Sequence, residues 1–458
     1  MSHDTPIFSP LKVSVFGLGA SNVAALRAVL SKHPEARIYF RSDKAALPED
    51  TGGFPFDKVF FGERALAEID EDIMLLSPSV RRDRKELATA VARGVKLSSD
   101  LELYFEERAP RISFGITGSD GKSSCAYICS EILKASGIPA VPCGNFGKSP
   151  LELAAGEIPA MELSSFQLSF IHPPLSRALI TNIKPNHLDW HRDLQEYQNA
   201  KLGILENAEG FVYDFDDPTS RARLSKKAAF AAVSGKLKLE ELRARCAAEH
   251  YVTVEGELIE IDGEPRIPFG KALRKERHNI KNFLLSVGLC LDFLTDEGAT
   301  EAISGFGGLP HRAEIVCSYG KQRFINSSID TTPDRTLCTL EAYPSSVVII
   351  CGKSKGVSYK ALAEALPALT KGAVLMGEVG DIVGEELKLL GAQGFKVEYC
   401  DRMADAVERA TKIATSTSEA RDVILSPGGT SFDKYKNFTE RGDAFRQAAK
   451  SVIENLQE

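Results

Sequence analysis

The sequence lacks the features that would place it in a membrane, on a nucleic acid or in an oxidising compartment. No apolar run approaches the roughly 18 residues that a membrane helix needs, and no basic segment followed by an apolar one opens the chain. The expectation is a cytoplasmic protein without membrane insertion. Positive charge is not in excess: a formal net charge of -7 gives no electrostatic reason to hold a phosphate backbone, so a nucleic-acid partner is not expected. The nine cysteines are scattered and form no CxxC pair, which argues for reduced thiols in a reducing compartment. Cys125 and Cys129, one helical turn apart, read as helix packing. Internal repeats and low-complexity tracts are also missing.

What is present is α/β patterning on a chain of 458 residues, too long for one ordinary core and long enough for about three domains. The segment "KVSVFGLGASNVAALRAVL" reads as a strand, a turn at Gly17 and Gly19, and a helix; "ARIYF" follows as a second strand. Asn22 stands where a dinucleotide fingerprint needs its third glycine, and no acid directly ends the second strand. A standard dinucleotide site is therefore not expected, although the helix N-terminus still suits a phosphate. A second segment begins near Arg111 with the buried strand "RISFGI" and alternates strands with helices to about residue 308. After "GGLPHR", the apolar strands "SSVVIICG", "GAVLMG" and "RDVILSPGG" each end at glycine or proline, as in a doubly wound sheet. The expected domains are 1–110 and 310–458, both Rossmann-like, around a central P-loop-type parallel sheet at 111–309.

The chemistry concentrates first in "FGITGSDGKSSCAY". Ile116 occupies the position of the first glycine in a strict GxxxxGK[ST], with Gly115 and Gly118 on either side, so the loop is a variant. Gly118 and Gly121 would let the backbone turn its N–H groups inward, Lys122 would supply a point charge to the β- and γ-phosphates, and Ser123 would offer a hydroxyl to Mg²⁺. Glu162 in "MELSSFQL" and His187 in "TNIKPNHLDWH" both follow apolar strands, which in a parallel sheet puts them at the carboxyl edge where ligands bind. One carboxylate and one neutral imidazole could complete a cation's shell. Singly, such a histidine is more often a loop or core residue and such a glutamate a solvated one; convergence with the glycine loop favours the site. His187 and Asp189 are near each other only in sequence and make no Ser-His-Asp set.

Taken in order, "VSVFGLGASN", "TGSDGKSS", "GNFGKSP", "ELSSFQL", "TNIKPNHLDWH", the lysine of "YQNAKLGI", "HNIKN", "GLPHR", "SIDTTPDRT" and "LSPGGTSFDKYKNFTERG" make the chain resemble the Mur ligases almost end to end. These are the ATP-dependent amide-forming enzymes of peptidoglycan precursor synthesis, and the likeness is strongest to the branch that adds D-glutamate. The resemblance implies that Gly118, Ser119, Asp120, Gly121, Lys122, Ser123 and Ser124 hold ATP with Asn279 and Arg312. It implies Ser123 and Glu162 on one Mg²⁺, and Glu162, His187 and a carbamylated Lys201 on a second. Lys122, Glu162, His187, Lys201 and Arg312 become the catalytic set. Ser21, Arg41, Ser42 and Asn145 fall to the UDP substrate, UDP-MurNAc-L-alanine, and Thr331, Lys355, Ser431 and Phe438 to D-glutamate. A monomer is expected.

Three segments depart from the family pattern. In "NSSIDTTP", Ser327 replaces an aspartate expected near the ATP ribose and Ile329 a lysine expected near the glutamate carboxylate; in "CGKSKG", Ser354 replaces an aspartate; and Asn186 replaces an acid before His187. Asp330 could serve the ribose, and Lys353 or Lys355 the substrate charge. The identity and stereochemistry of the amino acid stay open at this point. A folylpolyglutamate-synthase-like ligase would share the loop and metal residues, and a non-catalytic nucleotide-binding protein would share the loop; retention of the whole catalytic set favours a ligase.

Overall fold

The computed structural model describes residues 10–44, 46–47, 51–188, 190–392, 394–417 and 422–457; Asp189 lies outside them. The chain divides into two compact units, Met1–Gly305 and Phe306–Glu458. Among the described residues there are three sheets, two of them in the first unit. The boundary expected at residue 110 falls inside that unit and stays a proposal about domain organisation.

The first sheet contains β1 (Lys12–Phe16), β2 (Arg37–Ser42), β3 (Lys58–Phe61), β4 (Ile73–Leu76) and β5 (Lys96–Ser98), parallel throughout in the order β3-β2-β1-β4-β5. The strand order reverses at β1, the topology in which a crevice opens between β1 and β4. Gly17 turns the chain out of β1 at φ +78°, a conformation that L side chains seldom adopt. Asn22 then fastens the turn. Its buried amide donates to the carbonyls of Phe16 and Gly17, both at 2.9 Å, and to Ser77 Oγ after β4 at 3.0 Å. The residue that breaks the dinucleotide fingerprint is thus a staple across the switch point.

The second sheet runs β14-β13-β12-β11-β10-β9-β6-β8-β7, from β6 (Phe114–Thr117), β7 (Ala140–Gly144), β8 (Ile158–Glu162), β9 (Arg177–Ile180), β10 (Gly210–Asp214), β11 (Ala229–Val233), β12 (Ala248–Glu255), β13 (Leu258–Ile261) and β14 (Glu264–Pro268). Its members pair in parallel up to β12, after which β12, β13 and β14 form an antiparallel meander. β6 is wholly buried and lies between β8 and β9. That order sets the loop after β6 between the carboxyl ends of the strands leading to Glu162 and His187. The helix Lys122–Ala135 follows, burying Cys125, Ile128, Cys129, Ile132 and Leu133 at helical spacing.

The second unit holds β15 (Glu314–Tyr319), β16 (Gln322–Asn326), β17 (Ser346–Cys351), β18 (Thr370–Leu375), β19 (Val397–Tyr399) and β20 (Asp422–Gly428), in the order β15-β16-β20-β17-β18-β19. Only β15 pairs antiparallel. Among the described residues no helix is long and apolar enough to cross a membrane.

Candidate active site

The loop after β6 is shaped by its glycines. Gly118 and Gly121 have φ of +150° and +82°, and a Cβ on Gly121 would sit 2.7 Å from Asn282 Oδ1. A Cβ on Gly118 would collide with the hydroxyl of Thr181. Any larger residue would push the loop off its seat. The half-buried Lys122 donates to the carbonyls of Gly118 and Ser119 at 2.9 and 3.0 Å, and desolvation draws its pKa down. Ser119 and Asp120 are tied to neighbouring segments: Asn182 Oδ1, just after β9, accepts from Asp120 N at 3.1 Å, and Ser119 Oγ meets Tyr197 Oη at 2.7 Å.

Glu162, at the end of β8, is 3% exposed. Its two oxygens are already directed: Ser123 Oγ donates to Oε2 at 2.6 Å, and Asn145 Nδ2 donates to Oε1 at 3.0 Å. Hydroxyl and carboxylate therefore share one point at the start of the lysine-bearing helix. Among the described residues no group of three or more His, Cys, Asp or Glu side chains is arranged to hold a metal. Such a sparse oxygen set fits Mg²⁺, which keeps most of its waters and takes one or two protein oxygens with substrate phosphates.

Lys201 arrives from the helix Leu194–Leu202 and is 2% exposed. Its amine donates to the Gly118 carbonyl at 2.6 Å and lies 4.8 Å from the centre of the Tyr197 ring. Burial, with repulsion from Lys122, brings its pKa down to about 7. A neutral lysine amine at this depth is a nucleophile towards CO₂, which an ordinary surface ammonium is not. His187, by contrast, is exposed, with φ +53° and its ring 5.1 Å from that of Phe166.

Other expected residues divide more sharply. Arg41 has no exposure; its guanidinium pairs with the equally buried Glu71 at 2.6 Å and donates to the carbonyls of Ala65 and Ala67. It braces the interior of the first sheet and is withdrawn from the UDP-substrate set. Ser42 is buried with its hydroxyl accepting from Lys44 N. Ser21 lies beside the buried carboxylate of Asp100, which accepts from Ser149 Oγ at 2.7 Å. Asn279 donates to Glu276 at 2.9 Å, and it is Asn282, on the same helix, that packs against the loop. Sequence reasoning missed Asn282, Thr181, Asn182 and Tyr197, although all four lie within quoted motifs.

In the second unit Arg312 is exposed beside the buried His311, whose ring is 6.0 Å from that of Phe438. Lys355 donates to Thr331 Oγ1 at 3.2 Å; Ser431 is buried and Phe438 is 36% exposed. Asp330 faces inward, 5% exposed, accepting from the hydroxyls of Thr339 at 2.7 Å and Ser426 at 2.8 Å. Its carboxylate is taken up inside the unit and does not replace the missing aspartate at Ser327.

A parallel sheet whose inner strand ends in a glycine-lysine-serine loop, with a carboxylate and a buried lysine of lowered pKa at that loop, defines a P-loop nucleotide-binding enzyme. The Mur ligase middle domain matches residues 116–290. Full-length relatives called UDP-N-acetylmuramoylalanine–D-glutamate ligase include proteins of Ruminiclostridium cellulolyticum and Clostridium tetani, each 30% identical over 97% of both chains. A third, from a Thermotoga species, is 31% identical over 95% of this chain and 98% of its own. The chain belongs to the Mur ligase family, whose members are ATP-dependent, ADP-forming amide ligases.

Proposed function

We propose that this chain joins D-glutamate to UDP-N-acetylmuramoyl-L-alanine, converting ATP to ADP and phosphate, in cytoplasmic peptidoglycan precursor synthesis. The observation that carries this reading is the meeting of Ser123, Glu162 and Lys201 at one P-loop, in a chain related almost end to end to ligases named for that reaction.

The terminal alanyl carboxylate attacks the γ-phosphorus of ATP, ADP departs, and an acyl phosphate forms. The amine of glutamate then attacks the acyl carbon, and phosphate leaves from the tetrahedral intermediate. No side-chain nucleophile is needed, so positioning and electrostatics supply the acceleration. The backbone N–H groups at the start of the helix, Gly121–Ser124, and the Lys122 ammonium hold the phosphates, with Gly118–Asp120 shaping the loop around them. Mg²⁺, when bound, neutralises the charge that gathers on the transferring phosphoryl group. Ser123 and Glu162 would hold it, with Asn145 fixing the carboxylate rotamer through the 3.0 Å bond to Oε1.

The finer part of the proposal is a second ion on Glu162, His187 and Lys201. The neutral Lys201 amine would add to CO₂, forming a carbamate and releasing a proton, which turns a cation into an oxygen ligand. Asn279 and Arg312 would serve the nucleotide, Ser21, Ser42 and Asn145 the UDP substrate, and Thr331, Lys355, Ser431 and Phe438 the glutamate. A monomer belongs to the same reading. The test is phosphate release from the purified chain with ATP, Mg²⁺ and the UDP substrate, adding D-glutamate, L-glutamate or no amino acid. Release that depends on D-glutamate is expected. Dependence on another amino acid would keep the ligase and change its substrate, and no release in any mixture would remove the proposal.

A further inference from the structure

The loop that carries His187 belongs to no strand or long helix. It is a tight turn in which the His187 carbonyl accepts from Trp190 N at 3.1 Å and His191 N at 3.0 Å. Trp190, the single tryptophan of the chain, is the anchor of that turn. Its indole packs on Phe166 at 4.5 Å and His191 at 4.7 Å, and Nε1 donates to the Ser79 carbonyl at 2.8 Å. Ser79 lies in the turn after β4, in the first sheet.

Two residues further along that turn stands Arg81. One guanidinium makes four kinds of contact: Nη1 donates to the Trp190 carbonyl at 2.9 Å, Nη2 to Glu196 at 2.7 Å, and Nε and Nη2 to Asp83 at 2.9 and 2.7 Å, while its central carbon lies 4.8 Å from the indole centre. Glu196 sits on the helix that also carries Lys201. Only a planar fork can meet two carboxylates, a carbonyl and a ring at once; an ammonium on the same stem cannot.

We propose that Arg81 is a positioning residue for the cation: from the first sheet it clamps Trp190 and so sets the backbone of His187 at the edge of the second. Arg81, together with the Trp190–Ser79 bond, couples the sheet expected to take the UDP substrate to the loop expected to hold the metal. The inference rests on the reading of His187 as a ligand, and the experiment separates the two.

With the full chain, ATP, the UDP substrate and the amino acid, the Mg²⁺ concentration for half-maximal phosphate release is measured beside the emission maximum of Trp190. Arg81→Lys, which keeps the charge and loses the fork, is expected to raise the Mg²⁺ requirement about tenfold, as the loss of a supporting contact behind a metal ligand does, and to move the emission to longer wavelength. Should Arg81→Lys fail to fold, Trp190→Phe serves as the second variant: it keeps the stacking, loses the Ser79 bond and is expected to raise the Mg²⁺ requirement in the same direction. An unchanged Mg²⁺ requirement in Arg81→Lys overturns the proposal, whether or not the emission moves. If His187→Ala also leaves the requirement unchanged, the reading of His187 fails and the proposal falls with it; if His187→Ala raises it and Arg81→Lys does not, the proposal alone fails.

Discussion

Replacing Lys201 by methionine should make the protein more stable and less active, and the structure sets the scale of both effects. The amine is 2% exposed, and its pKa is lowered from 10.5 to about 7 by burial first and by Lys122 second. A tenfold change in a proton-binding constant corresponds to about 1.4 kcal/mol. Below pH 7 the folded chain carries the ammonium in its buried place and the penalty is full, about 5 kcal/mol. Between pH 7 and 10.5 the unfolded chain binds more protons than the folded one, so stability rises with pH and the penalty fades. At pH 7 it stands at about 4 kcal/mol, against which the hydrogen bond to the Gly118 carbonyl contributes roughly 1.5–3 kcal/mol. In CO₂-depleted buffer Lys201→Met should therefore gain on the order of 2 kcal/mol in urea unfolding at pH 7, and the gain should shrink as the pH approaches 10. Phosphate release should fall about a hundredfold, the upper range for loss of a group that supports a metal. A destabilised variant, or a gain that does not narrow with rising pH, would refute the electrostatic reasoning; full activity would refute the metal role.

Other expectations are more local. Gly121→Ala forces a side chain into left-handed backbone and against Asn282, at a cost of about 1–2 kcal/mol for the backbone alone, so calorimetric affinity for an ATP analogue should drop roughly tenfold or more; unchanged affinity would mean that the loop does not cradle phosphate. Lys355→Ala should raise the KM for the amino acid about tenfold, from the loss of one charge-assisted bond, and leave that for ATP alone; an unaltered amino-acid KM removes Lys355 from the site. Arg41→Ala leaves Glu71 charged and buried without its partner, so urea unfolding should report a loss of about 3–5 kcal/mol. Unchanged stability with a raised KM for the UDP substrate would instead return Arg41 to the ligand.

The phosphate loop could be read from the sequence because its information is local. A buried strand, glycines that tolerate positive φ, a lysine, a serine and a helix occur within fourteen residues, and Glu162 and His187 follow strands whose ends share one sheet edge. Partners distant in sequence are another matter. Nothing beside Arg41 signals that Glu71, thirty residues on, neutralises it; a cation at a strand end reads as ligand-facing until the burial of both is known. Asp330 misleads in the same way, because the hydroxyls that consume it come from Thr339 and Ser426. Asn282 and Tyr197 reach the loop through helices that pack on it, a relation fixed by topology. The antiparallel meander was legible and went unread: "VTVEGELIEIDGEPRI" alternates apolar and polar residues around Gly256 and Gly263, both with positive φ, which is hairpin chemistry. Arg81 lies in no quoted motif, and Trp190, though inside "TNIKPNHLDWH", is given its place by contacts with Arg81 and Ser79 that the sequence does not show.

The central claim is that the loop at Gly118–Ser124 presents ATP to a carboxylate. The most direct measurement uses a UDP substrate whose alanyl carboxylate is labelled with oxygen-18, with ATP, Mg²⁺ and D-glutamate, and mass analysis of the phosphate released. Transfer of one labelled oxygen into that phosphate is predicted, because the oxygen that bonded to phosphorus leaves with it when the amide forms. Phosphate released without label would mean that water, not the carboxylate, attacks the nucleotide, and would contradict the account.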